Sequence, residues 1–496
     1  MGVKFDIQQR NSDYISYLLK ETIDTTLNFK KELKVKTSDF NYNMGRKMIS
    51  EIPYIGKNEM DVLREFETTY LPYCFNESSK NSMGFPDCGS DSSGMMGAIV
   101  ASLLQQNLIN QTQSSPSITF AEINVIRWMR EIVGYQVKSK EKINSVFDVG
   151  GIVTPGGTSS NTIAMMLARE NMNPATLQEG ISNLDKHVVL IPDCISHYSI
   201  KSSLMWIGCG AKVKKVKTKN FKYDLKDLKK KLIENNEKVM AVVAYVGDSR
   251  TMTVDNLKEI YNIVKNHDEN IWLHADACHG FSLGFSDKLS HKIEGIELFD
   301  SISTDPHKVL MLPYTLSILL IKKEDNFKLV KTESDLIMSE PFAFGQITPF
   351  IGSKGAYSLK LWFLIKHLGK NGIANIIEKR HGLALEFYEK LKNNDEFIVL
   401  NKVDINSVMF LIKPYKKASI QEANDFTKKI YEILLKEGKY FLHHFPIDIP
   451  DNAYNYRGKF YPLRFMSGNP DLKSEDLDNI ISYLIEKVKD YGKQNV

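Results

Sequence analysis

Cysteine is scarce. Five occur in 496 residues, Cys74, Cys88, Cys194, Cys209 and Cys278. They are odd in number, widely spaced and without a Cys-x-x-Cys pair, which argues against a disulfide framework and a thiolate zinc site and suits a reducing cytoplasm. Long apolar runs are missing too: the longest, residues 239–246 and 316–321, are strand-length, too short for a bilayer. The first ten residues are polar and charged, with no apolar core of the kind a secretory signal carries. Charge of one sign is lacking. Sixty-four Lys and Arg against 60 Asp and Glu leave a formal +4, which gives no case for nucleic acid or an anionic membrane as partner. No internal repeat, low-complexity segment or metal-ligand cluster stands out. What remains is an ordinary soluble composition, 43% hydrophobic and 25% charged, on a chain too long for one simple core.

The pattern along the chain divides it in three. Residues 1–110 read as mostly helical, with Ser12 or Asp13 capping a helix that carries Ile15, Leu18, Leu19 and Ile23. Turn formers crowd residues 83–94, which reads as a loop. Within 111–355, short apolar runs at 150–153, 187–191, 212–216, 239–246, 271–274, 301–303 and 316–321 alternate with amphipathic segments at 161–170, 198–207, 225–235 and 254–266. That alternation predicts an α/β domain with a mostly parallel central sheet flanked by helices, whose ligands bind at the carboxyl ends of strands. Residues 356–496 read as a smaller C-terminal α+β domain with helices at 357–368, 373–391 and 474–491.

Four segments carry chemistry, and each follows a strand or opens a helix. Thr154-Pro155-Gly156-Gly157-Thr158 precedes a helical run, so its amides and the helix dipole can hold a phosphate; no Lys-Ser/Thr follows, so it is not a P-loop. His197 lies in Ser196-His197-Tyr198, where an imidazole can stack on a flat ring. Asp276 ends the apolar string Trp272-Leu273-His274-Ala275-Asp276-Ala277. Lys308 closes Asp305-Pro306-His307-Lys308 ahead of the apolar frame Val309-Leu310-Met311-Leu312, an unusual setting for an ammonium without a partner or a covalent role. A lysine amine for a Schiff base and a carboxylate to hold a pyridine nitrogen protonated are the two halves of a pyridoxal 5'-phosphate (PLP) site.

In order and wording these segments resemble the group II PLP-dependent amino-acid decarboxylases, the class that includes glutamate, aromatic amino-acid, tyrosine and histidine decarboxylases. The resemblance runs from about Gly84 to Leu368 and more weakly to the C-terminus. It implies the aspartate aminotransferase-like fold (fold type I), and it implies decarboxylation of an L-amino acid to its amine and carbon dioxide. Carried over, Lys308 is the Schiff-base lysine, Asp276 the pyridinium partner and His197 the stacking ring. Gly157, Thr158 and His307 contact the phosphate, and Ala277 and Ser249 lie near the ring. Ser353, in Ile351-Gly352-Ser353-Lys354-Gly355, marks a segment through which a neighbouring subunit reaches the phosphate, which implies a homodimer with active sites at the interface. Arg464 resembles an arginine near the substrate carboxylate.

Two departures bear on outcome. The family's mobile loop often carries a catalytic tyrosine, but residues 331–349 contain Phe342 and Phe344 and no tyrosine. Loss of that phenol can divert the reaction to oxidative deamination and an aldehyde, so an aldehyde synthase or a carbon–carbon lyase stands as the alternative, with Tyr314 a potential substitute. Asp248 stands where a threonine is common, either altering the field near the ring or facing solvent. For the substrate pocket, residues 83–94, His279 and Phe281 are expected, and Asp87 or Asp91 could meet a cationic side chain.

Overall fold

A computed structural model of the chain describes residues 12–36, 39–182, 187–194, 198–332, 334, 340–348, 351–449, 454, 456 and 458–492. Each of the seven apolar runs forms a strand of one sheet: β1 Gly151–Thr154, β2 Val188–Pro192, β3 Val213–Val216, β4 Val239–Tyr245, β5 Trp272–Asp276, β6 Ser301–Thr304 and β7 Ser317–Ile321. Their order is β1-β7-β6-β5-β4-β2-β3. From β3 to β6 the pairing is parallel, and only β7 runs against its neighbours. Strands β2, β4 and β5 are buried along their full length, as continuous apolar runs require in a sheet covered on both faces.

Helices α1 Ser12–Lys30, α2 Tyr42–Met48 and α3 Glu59–Thr69 begin the described chain, followed by α4 Ser92–Leu104 and α5 Ile118–Ile132. The expected helix with Leu19 and Ile23 forms as α1, yet none of α1, α2 or α3 contains a buried residue. The loop at 83–94 ends earlier than its turn formers suggest, because Asp91 caps α4 by accepting from the Ser93 amide at 2.8 Å.

The sheet is crossed by α6 Gly157–Met172, in which every residue from 160 to 170 is buried. Such a helix is enclosed on all sides; α6 packs on β6, β7 and the next helix, α7 Tyr198–Trp206. Helices α8 Leu225–Glu234 and α9 Leu257–His267 complete the crossovers, each presenting one buried stripe.

Beyond the sheet, α10 Ser358–Lys392 is interrupted at Gly369, whose φ of +63° belongs to the left-handed region. The two helices read at 357–368 and 373–391 are its two limbs. A second, antiparallel sheet follows, in the order β8 Phe397–Val399, β9 Ser407–Ile412, β11 Leu463–Met466 and β10 His443–His444. Helices α11 Ile420–Glu437 and α12 Ser474–Tyr491 complete the chain, and α12 has the bounds its capping residues predict. Among the described residues no helix is long and apolar enough to cross a membrane.

Candidate active site

The carboxyl ends of β4, β5 and β6 lie side by side, with Tyr245 opposite Asp276 and Asp276 opposite Ser303. Asp276 is the last residue of β5 and is buried. Its Oδ2 accepts from Asn161 Nδ2 of α6 at 3.0 Å, and the same amide nitrogen donates to Ser199 Oγ at 2.7 Å. With that nitrogen facing a carboxylate, Asn161 Oδ1 must accept, and its partner at 2.9 Å is His274 Nε2. The imidazole therefore carries its proton on Nε2, and Nδ1 accepts from Ser301 Oγ at 2.8 Å. Ser301 Oγ in turn accepts from the Trp272 indole at 2.8 Å. Burial, opposed by Asp276, lowers the His274 pKa to about 4. The result is a buried chain of directed bonds ending on one carboxylate.

That chain was not foreseen from the sequence. A signal was present: Trp272, His274 and Asp276 alternate along one strand and so share a face.

Lys308 sits on a short helical turn just after β6. Its Nζ lies 2.8 Å from Asp305 Oδ2. Burial works against the ammonium, but Cys278, Asp305 and Asp276 outweigh it and hold the Lys308 pKa above the usual lysine value. Asp305 also accepts from Ser317 Oγ at 2.5 Å. Burial would raise its pKa, yet Lys308 and His307 pull it below the ordinary carboxylate value.

The start of α6 comes up beside this pair: a Cβ on Gly157 would stand 2.7 Å from an Asp305 carboxylate oxygen. Only glycine fits there without displacing Asp305. At Gly156 a Cβ would meet nothing within 4 Å, so the space in front of the helix is open. Ser159 and Ser160 donate back to the Gly156 carbonyl, while the Gly157 and Thr158 amides stand at the helix mouth, where backbone donors have no intrahelical acceptor.

The remaining expected residues are distributed as follows. Ala277 is buried and its amide donates to the Ser303 carbonyl at 2.9 Å. His307 is buried, its Nδ1 donates to the Leu316 carbonyl at 2.6 Å, and its ring stands edge-on to Tyr314 at 5.2 Å. Ser249 follows β4, and its carbonyl accepts from Arg464 at 2.5 Å. Ser353 is exposed on the single chain. The next residue, Lys354, forms a buried ion pair with Glu122 at 2.9 Å and donates to the Val153 carbonyl. His197 lies outside the described residues.

Several expectations are corrected. Asp248 does not face solvent. It is buried and accepts from the Arg250 and Thr251 amides at 2.8 and 2.9 Å, organising its own turn. Phe281 belongs to the apolar core. Asp91 is a helix cap. His279 is buried: its Nδ1 donates to the Gly247 carbonyl at 2.9 Å, and burial together with Lys308 keeps its pKa far below the usual value.

Arg464, on β11, is fully buried. Its guanidinium donates to the carbonyls of Ser249, Arg250 and Gly84. Its Nε has no partner, and burial lowers its pKa to about 10 despite Asp248 and Asp87.

These residues fit PLP. A buried, oriented carboxylate stands at one strand end, an amine follows the adjacent strand, and an open helix N-terminus lies beside them for an anion.

Comparison with known proteins agrees. The pyridoxal-dependent decarboxylase conserved domain matches residues 43–413. The acidic amino acid decarboxylase GADL1 of Mus musculus is 27% identical over 76% of this chain and 68% of its own length. An L-2,4-diaminobutyrate decarboxylase of Acinetobacter baumannii is 28% identical over 64% of this chain and 65% of its own. In fold, the crystal structure of mouse CSAD superposes with a TM-score of 0.83, covering 95% of this chain and 98% of that one at 22% identity.

Proposed function

Because this chain belongs to the pyridoxal-dependent decarboxylase family, and is a PLP-dependent amino-acid decarboxylase of fold type I, we propose that Lys308 and Asp276 are its catalytic centre. The observation that carries this assignment is their placement after adjacent parallel strands, with Asp276 fixed by Asn161. PLP, when bound, supplies an electron sink for the pair left behind as carbon dioxide departs.

The chain's own groups do the rest. Lys308 Nζ provides the amine that holds the cofactor, and Asp305 receives the ammonium whenever that bond is open. Asp276 keeps negative charge at the ring nitrogen, and Asn161 prevents its carboxylate from turning away. The Gly157 and Thr158 amides hold the phosphate, with His307 alongside. By the family resemblance His197 would stack on the ring, and Ala277 and Ser249 would border it. Arg464 Nε would receive the substrate α-carboxylate and so would orient the bond to be broken.

The protein is further proposed to be a cytoplasmic homodimer with Ser353 at a shared site. Supporting the dimer, α1–α3 have no buried residue, and they and their linkers expose Tyr42, Ile49, Ile52, Tyr54 and Ile55. All five cysteines are unpaired thiols, as a reducing compartment requires.

The test is a visible spectrum of wild type and Lys308→Ala with PLP, followed by carbon dioxide and oxygen measurements across amino acids. Wild type is expected to show a lysine-dependent band and to release carbon dioxide without consuming oxygen. Lys308→Ala should lose the band and fall in activity by about 1000-fold or more. A wild type with no band overturns the assignment. The absence of tyrosine from residues 331–349 favours a second reading, aldehyde formation, and oxygen consumption with ammonia release would establish it.

A further inference from the structure

Two opposite charges stand in the substrate-side wall without a contacting counter-ion. One is Arg464, whose bonds all go to backbone carbonyls. The other is Asp87. The loop that carries Asp87 lies over the segment after Lys308: the Asp91 amide donates to the Met311 carbonyl at 2.8 Å, and a Cβ on Gly94 would collide with Leu312. The Gly84 carbonyl of the same loop accepts from Arg464 at 2.8 Å.

Within this frame, Asp87 is held by the Tyr314 hydroxyl and feels the fields of His307 and Lys308. Its Oδ1 is out of solvent and has no hydrogen-bond partner. Burial, only partly offset by Tyr314, His307 and Lys308, raises its pKa above the ordinary carboxylate value. Lys308 is already paired with Asp305, and His307 Nδ1 donates to the Leu316 carbonyl. A carboxylate oxygen kept out of solvent without a partner is costly unless a ligand completes it.

We propose that Asp87 is the specificity-determining residue of this decarboxylase, and that its open Oδ1 receives the side-chain ammonium of a diamino acid. This rests on the decarboxylase reading above. The substrate class follows from the two unpaired charges together. An α-amino acid with a cationic side chain presents a carboxylate for Arg464 and an ammonium for Asp87. An acidic side chain would instead bring a second negative charge against Asp87, and an aromatic one would leave Oδ1 buried and unpaired. The two relatives described above bear names of opposite substrate charge, and Asp87 decides between those charges for this chain.

The experiment uses the PLP-loaded enzyme and matched pairs: L-2,4-diaminobutyrate against L-norvaline, and L-ornithine against L-norleucine, with L-glutamate and L-tyrosine alongside. Two quantities are read, kcat/KM and the amino-acid concentration that half-shifts the visible band, which reports binding without turnover. Wild type should favour the cationic member of a pair by about 100-fold or more, and Asp87→Asn should cut that ratio by about 30-fold or more.

Asp87→Glu guards against a folding artefact. It keeps the charge but reaches one carbon further, so it should retain the preference for cations and move it toward the shorter diamino acid. The proposal is overturned by a wild type that prefers glutamate, tyrosine or the neutral members. It is equally overturned by an Asp87→Asn variant that loses all substrates in equal proportion, which is the signature of a purely structural carboxylate. A band shift that prefers diamino acids and depends on Asp87, with no carbon dioxide from any amino acid, would leave the inference standing and overturn the decarboxylase reading alone.

Discussion

The two sides of the site are built on opposite plans. Beneath the ring position, the series from Trp272 through Ser301, His274 and Asn161 to Asp276 is buried and consecutively bonded. Over it, the wall formed by the loop at 83–91, the turn at 247–250 and strand β11 keeps Asp87 Oδ1 and Arg464 Nε out of solvent without partners. The bonded series of the first side is in place before any ligand arrives, with the Tyr245 hydroxyl and Ser303 Oγ beside it the buried groups left without partners. The second side is complete only with a ligand. A cofactor that stays through every turnover suits a preorganised floor, because fixed dipoles then need no rearrangement during reaction. A substrate that enters and leaves suits a wall whose unpaired groups discriminate against whatever fails to satisfy them.

The largest effect that would break this contrast is expected at Asp276. Asp276→Ala removes the terminus of the bonded series and the negative charge at the ring nitrogen. With a buried cation left unpaired, activity should fall at least ~100-fold, the equivalent of about 3 kcal/mol or more. Steady-state kcat with saturating PLP is the measurement. A loss under tenfold would mean that the carboxylate is a structural strand end and that the floor is not specialised for a pyridine nitrogen.

Asn161→Ala comes next. It leaves an Asp276 oxygen and the His274 Nε2 proton without their partners, which should cost about 2–4 kcal/mol of unfolding free energy and weaken PLP binding by about tenfold. Denaturant unfolding of the apoprotein and a PLP titration separate the two losses. Weaker PLP binding at undiminished stability would show that Asn161 serves only the bound state.

This residue also marks the limit of what the sequence discloses. Lys308 and Asp276 are legible because each sits in a short contiguous string whose chemistry is local. The seven strands are legible because burial on both faces leaves unbroken apolar runs. Asn161 and His274 are 113 positions apart and meet only because α6 crosses the sheet. Asp87 and Asp91 look alike as loop carboxylates, and only the fold separates an open oxygen from a helix cap. The absence of any buried residue in α1–α3 was equally hidden, since amphipathic periodicity records an apolar stripe without saying whether this chain or another covers it.

The smallest effect expected is a pH dependence from the floor alone. His274 is neutral in the folded protein, its pKa lowered by burial from 6.5 to about 4. Between those values the unfolded chain binds a proton that the folded chain refuses, so unfolding takes up protons and stability falls as pH is lowered through the window. Across all of it, His274 alone accounts for a loss of about 3 kcal/mol. His443, half-buried opposite Arg464 with its pKa lowered to about 3, acts in the same direction, so the share belonging to His274 is obtained by difference. His274→Gln keeps an amide donor for Asn161 and cannot titrate. Urea unfolding at pH 7 and pH 4.5 should show wild type losing about 2–3 kcal/mol more than the variant over that interval. Equal losses in the two proteins would mean that His274 titrates near its ordinary value in the folded protein and that the floor does not hold the imidazole neutral through this window.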